Sequence, residues 1–229
     1  MNLLKEYIKK NSPVLLEKMD LFIHDTVPVY ITEKVPENVS IRSVLNFLND
    51  EMPEPLFKGL NAVYIGSFPE IEEEGANAKY WEGALYLVSK EQDGSMDLLD
   101  DIVHEVAHLV EEQYGEGIYE DEILKEEFLH KRNLLFERMS PYFTEDRWAK
   151  EAFKNHEYDK KLDVFFTEKV GNGRMKKFIS GIFLTSYAPV SLNEYFADGF
   201  EHYFLGKRED LATLCPMLYK KIFELLRTI

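Results

Sequence analysis

Residues 104–108 read His-Glu-Val-Ala-His. Two histidines four apart fall on one face of a helix. Their imidazoles can grip one divalent ion, and zinc takes nitrogen donors of this kind. Glu105 projects beside them, where a carboxylate can take a proton from a water polarised by the ion. One zinc ion per chain is therefore expected on His104 and His108, with Glu105 as general base. The competing reading is an amphipathic helix that merely carries two histidines. The flanks favour a regular helix in either case. Leu98, Leu99, Ile102, Val103, Val106 and Val110 form an apolar stripe at spacings of three and four. Asp93-Gly94 is a turn signal, and Ser95 is a candidate N-cap.

A catalytic zinc site usually has three protein ligands and an open position. The metzincin continuation needs glycine at 111 and histidine at 114; Glu111 and Tyr114 stand there instead. The best third ligand lies downstream, in Ser191-Leu192-Asn193-Glu194-Tyr195-Phe196-Ala197-Asp198. Glu194 and Asp198 are one turn apart on a helix whose Phe196, Phe200 and Phe204 make an apolar stripe. Glu194 can bind zinc, and Asp198 can orient a ligating histidine through its free ring N–H. Ser191-x-x-Glu194 is also a capping-box pattern, in which the glutamate would turn back on its own helix. Glu201 and His202 are the reserve ligands, and His202 is expected to face a groove or solvent.

HExxH followed much later by this Asn-Glu-x-x-x-Asp segment is similar to the gluzincin zinc peptidases. Tyr187-Ala188 before Asn193–Asp198 resembles the anthrax-lethal-factor type, which includes the small Pro-Pro endopeptidases. That family carries a tyrosine seven residues before the glutamate ligand, the spacing of Tyr187 and Glu194 here. Asp198 stands where those relatives usually have glutamate. The resemblance covers about residues 80–206 and implies an α+β, zincin-like fold. It implies a Tyr187 hydroxyl that hydrogen-bonds the oxyanion of a peptide carbonyl under attack. A packing tyrosine is the alternative for that position. Proline selectivity does not transfer.

These residues need elements to hold them. Residues 3–20 read as one or two short helices, Val27–Thr32 as a strand near an edge, and Ile41–Leu48 as a helix capped by Ser40. Ala62–Phe68 reads as a second strand, Glu72–Glu74 as a solvated loop, and Tyr80–Val88 as a third strand running up to the zinc helix. Gly83, Ala84, Leu85 and Tyr86 are expected at a cleft rim, pairing with an extended protein or peptide substrate. After the zinc helix the chain reads as helical: Asp121–Met139, Trp148–Phe153, Tyr158–Val170, Met175–Leu184, Leu192–Phe204 and Met217–Leu226. The expected architecture is one metallopeptidase domain over 1–229. A small mixed sheet and the HExxH helix would make an N-terminal lobe of about 1–115. A mostly helical lobe would follow over about 116–229, with the cleft between them.

Composition sets the remaining bounds. In 229 residues, 45% are hydrophobic, enough for a sizeable core. The net charge of −15 and the lack of a basic cluster argue against nucleic acid. No apolar run approaches membrane-spanning length, so no membrane partner and a cytoplasmic location are expected. The single Cys215 allows no intrachain disulfide and reads as a buried structural thiol. The alternative to a zinc-dependent endopeptidase is a non-catalytic protein of the same fold that grips a partner in its cleft.

Overall fold

A five-stranded mixed sheet opens the described part of the chain, in the order β1-β2-β3-β5-β4. The computed structural model describes residues 21–73, 75–145, 149–206 and 208–229, so the helices expected at 3–20 lie outside the described residues. β1 (Phe22–Ile23) and β2 (Val27–Ile31) form an antiparallel pair, and β3 (Ala62–Gly66) runs parallel to β2. β5 (Ala84–Val88) runs parallel to β3, and β4 (Ala78–Trp81) closes the sheet antiparallel to β5. Among the described residues, β1 and β4 are therefore the outer strands of the sheet. One face carries the buried Val29, Val63, Ile65, Leu85 and Leu87. On the other, in-register Tyr30, Tyr64 and Tyr86 stack at 5.3 and 5.4 Å between ring centroids.

The expected single strand over Tyr80–Val88 is a hairpin. Glu82 and Gly83 both have positive φ, 47° and 79°. Positive φ at both central residues is the two-residue turn whose twist matches paired strands. A Cβ on Gly83 would also lie 2.4 Å from Asn61 Nδ2, and the Gly83 carbonyl accepts the Asn61 N–H at 2.7 Å. Gly83 is thus a turn residue. Ala84, Leu85 and Tyr86 sit on an interior strand, hydrogen-bonded on both sides and buried. They form no rim, and that expectation is corrected.

α1 (Ile41–Glu51) starts where its cap predicts: the Ser40 Oγ accepts the Ser43 N–H at 3.3 Å. Part of the acidic run expected as a loop belongs instead to a short helix, α2 (Pro69–Glu73), where Glu72 pairs with Lys90 at 2.6 Å. α3 (Ser95–Tyr119) carries the HExxH segment, and its six predicted stripe residues are all buried. Ser95 is its first residue; its Oγ accepts the Ser40 N–H at 2.7 Å.

The chain divides into two compact units, Met1–Val110 and Glu111–Ile229, and the boundary falls inside α3. The second unit contains α4 (Ile123–Met139), α5 (Ala149–Ala152), α6 (Lys160–Val164) with a π-helical turn at Phe165–Val170, and α7 (Asn172–Phe178). α8 (Leu192–Phe204), α9 (Arg208–Leu214) and α10 (Pro216–Thr228) complete it. The unit is organised on α4. Glu127 accepts from the Tyr195 hydroxyl at 2.8 Å and from the Met217 and Leu218 N–H groups at 3.0 and 3.2 Å. It thereby supplies the N-terminus of α10 with an acceptor and a negative charge. Lys131 donates to the Ile182 and Leu214 carbonyls, both at 2.7 Å.

Candidate metal centre

α3 is regular through residues 104–108, so the helical spacing delivers what it promises. His104, Glu105 and His108 each offer one ligand atom, and these atoms lie within 4.8 Å of one another. The imidazole centroids are 5.1 Å apart and the rings are inclined at 81°. Val106 and Ala107, on the opposite side of the same turn, are fully buried. The three polar residues are only partly buried, which leaves access for an ion and for water. Two imidazoles and a carboxylate with an open approach form a donor set that suits zinc.

Glu105 has a second partner. Its Oε2 accepts the backbone N–H of Tyr80, on β4, at 2.5 Å. One turn upstream of His104 and Glu105 stands Asp101, whose Oδ2 accepts from Gln92 Nε2 at 2.8 Å. Burial pushes the Asp101 carboxyl up to about 6; Asp97 and Glu105 add to the rise, and Gln92 and His104 oppose it. Neither neighbour is among the site residues expected from the sequence. For Asp101 a signal existed: 101, 104, 105 and 108 share one helix face. For Tyr80 there was none, because the contact uses a main-chain atom.

The other predicted site residues lie in the second unit. Glu194 is in the first turn of α8, and its N–H is accepted by the Ser191 Oγ at 3.2 Å, so Ser191 is the N-cap as read. Asp198 is buried one turn on. Its carbonyl is 2.9 Å from His202 Nδ1, and its Oδ1 is 3.8 Å from the same atom. His202 is buried, not turned to a groove or solvent, because the ring packs back along its own helix onto Asp198. Tyr187 stands in the irregular stretch before α8 and is 43% exposed, more than a core-packing tyrosine would be. Its carbonyl accepts the Val190 N–H at 2.9 Å. Glu111, the residue at the position where metzincins need glycine, is buried and accepts from Tyr119 Oη and from Asn193 Nδ2, the latter at 3.0 Å. It joins the last turns of α3 to the start of α8, a link that no local pattern in the sequence marks. Cys215 is fully buried, and burial pushes its thiol up to about 11, as an inert structural thiol requires.

Compared with protein-family models, with characterised proteins and with solved structures, the chain matches none. None of the helices formed by the described residues is long and apolar enough to cross a membrane.

Proposed function

We propose that this chain is a zinc-dependent metalloendopeptidase with a zincin-like arrangement of sheet and HExxH helix. The observation that carries the reading is the partly exposed His104–Glu105–His108 cluster, with the glutamate hydrogen-bonded to the main chain of β4. His104 and His108 are the metal ligands from α3, and Glu194 is proposed as the third on the strength of the sequence resemblance. Bound there, zinc supplies Lewis acidity toward a carbonyl and a more acidic water. Glu105 takes a proton during attack on a peptide carbonyl and returns it to the leaving amine. Tyr187 is assigned the oxyanion hydrogen bond, and Asp198 the orientation of a ligand.

The substrate-binding strand is reassigned from β5 to β4. The Val88 N–H bonds the Asn77 carbonyl at 2.8 Å, which sets the phase of the β4–β5 ladder. Alternation then turns the N–H and C=O groups of Ala78 and Tyr80 outward. An extended peptide laid along this edge gains main-chain hydrogen bonds with little dependence on its sequence.

A metal-dependent cleavage screen on a peptide library tests the reading, with Glu105→Ala as control. Cleavage that needs zinc and is lost in Glu105→Ala supports it. A zinc-loaded protein that cleaves nothing, yet retains peptides as well as Glu105→Ala does, would make this a gripping protein and not a hydrolase.

A further inference from the structure

We infer that the backbone N–H of Tyr80 is the positioning donor for Glu105, and that this bond keeps the glutamate a base instead of a metal ligand. The assignment rests on the peptidase reading for its catalytic meaning and on geometry alone for the bond itself.

The argument begins with a competition. Glu105 is adjacent in sequence to His104, and its carboxylate lies close enough to both histidines to count among the donors that could share one ion. A carboxylate is a good zinc ligand. A glutamate side chain also has three rotatable bonds, and ordering it costs on the order of 1–2 kcal/mol. Left alone, nothing in its chemistry would keep it from swinging onto the ion. A base needs the opposite: one oxygen restrained and the other presented to water.

The edge of β4 supplies the restraint. Tyr80 pairs opposite Leu85 at a position where the ladder does not use its N–H. That N–H points off the sheet and meets Glu105 Oε2 at 2.5 Å. An amide that donates to a carboxylate makes a charge-assisted bond, about twice as strong as a neutral pair. It takes one oxygen and leaves the second. The anchor is a main-chain atom in a strand paired along its other side, so it holds its place better than a side-chain donor would. The arrangement also makes the edge asymmetric toward an incoming peptide. Ala78 turns both of its groups outward, whereas the outward N–H of Tyr80 is already taken by the base.

The bond is read first in the metal-free protein. The Tyr80 amide proton should be shifted downfield in the wild type and slow to exchange with solvent. In Glu105→Ala it should move upfield and exchange at least about tenfold faster, the scale of one lost charge-assisted bond. An amide indifferent to Glu105→Ala in both shift and exchange overturns the assignment, whatever the protein's activity. The catalytic meaning is read by comparing Tyr80→Pro, which deletes the N–H, with Tyr80→Val, which keeps it while losing the same phenol. Proline is tolerated on an edge strand where the N–H faces away from the ladder. Tyr80→Val should hold zinc as the wild type does, whereas Tyr80→Pro, which frees the carboxylate to reach the ion, should hold it more tightly. The turnover number of Tyr80→Pro should fall about a hundredfold below that of Tyr80→Val, the scale of a misplaced catalytic group, with similar Michaelis constants. Equal turnover in the two would remove the positioning role. If no peptide is cleaved by the wild type at all, the peptidase reading fails, while the amide measurement still decides the bond.

Discussion

Two imidazoles four residues apart need only a regular helix to converge, and α3 is regular there. Residue-level predictions follow from that dependence. His104→Ala and His108→Ala should each abolish the binding of about one zinc per chain, measured by metal analysis of protein purified with zinc present. Metal content unchanged in both would remove the site. Glu194→Ala should weaken zinc binding more than Asp198→Ala does, because a ligand contributes more than the group that orients one. The reverse order would assign Asp198 the stronger role. Tyr187→Phe removes only a hydroxyl, so turnover should drop roughly a hundredfold with little change in Michaelis constant. Wild-type turnover would make that tyrosine a surface residue, in keeping with its 43% exposure. At this scale the sequence showed the histidine pair, because a side chain's type and its spacing on a helix are both written in it. It hid Tyr80, because every residue but proline carries the N–H in question. It also hid the depth at which Glu111 sits, since its partner Asn193 is distant in the chain.

Among the elements, the helices were more legible than the sheet edge. α8 runs over the residues expected of it and α10 to within a few, because apolar stripes and caps mark them locally, whereas α3 continues past the stripe that marks it, to Tyr119. The hairpin was missed because Glu82 disguises its turn. Asn-Gly or Asp-Gly would have announced positive φ at both positions, whereas glutamate rarely adopts it. The consequence is testable. Glu82→Asn should stabilise the protein by a few tenths to about 1 kcal/mol by easing the left-handed strain. Gly83→Ala should destabilise it by about 1–2 kcal/mol, from a φ of 79° and the 2.4 Å approach to Asn61. Urea unfolding of the three proteins measures both, and a Gly83→Ala variant as stable as the parent would contradict the turn. The irregular ground between α7 and α8 and the π-helical turn at Phe165–Val170 escaped the reading for another reason. Helical periodicity does not register a change of winding within one or two turns.

At the scale of the whole molecule, charge dominates the response to solution conditions. A net charge of −15 opposes compaction through self-repulsion, so salt should raise stability modestly. Superimposed on that background is one acid with a definite sign. Asp101 has its carboxyl raised to about 6 by burial, against an ordinary value of 3.8. The folded protein therefore binds the Asp101 proton more tightly than the unfolded chain does. Its favourable contribution is complete below about pH 4, and it fades as pH rises through 6. Above pH 7 the ionised carboxylate is a fixed cost of roughly 1–2 kcal/mol after allowing for partial exposure. Asp101→Asn keeps an oxygen for Gln92 Nε2 to bond and cannot ionise. In the metal-free protein it should match the parent near pH 4 and exceed it in stability at pH 7.5. The difference should develop between pH 4 and 7, read from denaturant midpoints at each pH. Parallel curves for the two proteins would show that Asp101 is as well solvated in the folded state as in the unfolded one. A loss of stability in Asp101→Asn at neutral pH would mean instead that the ionised carboxylate is the stabilising form, held by the histidine one turn away.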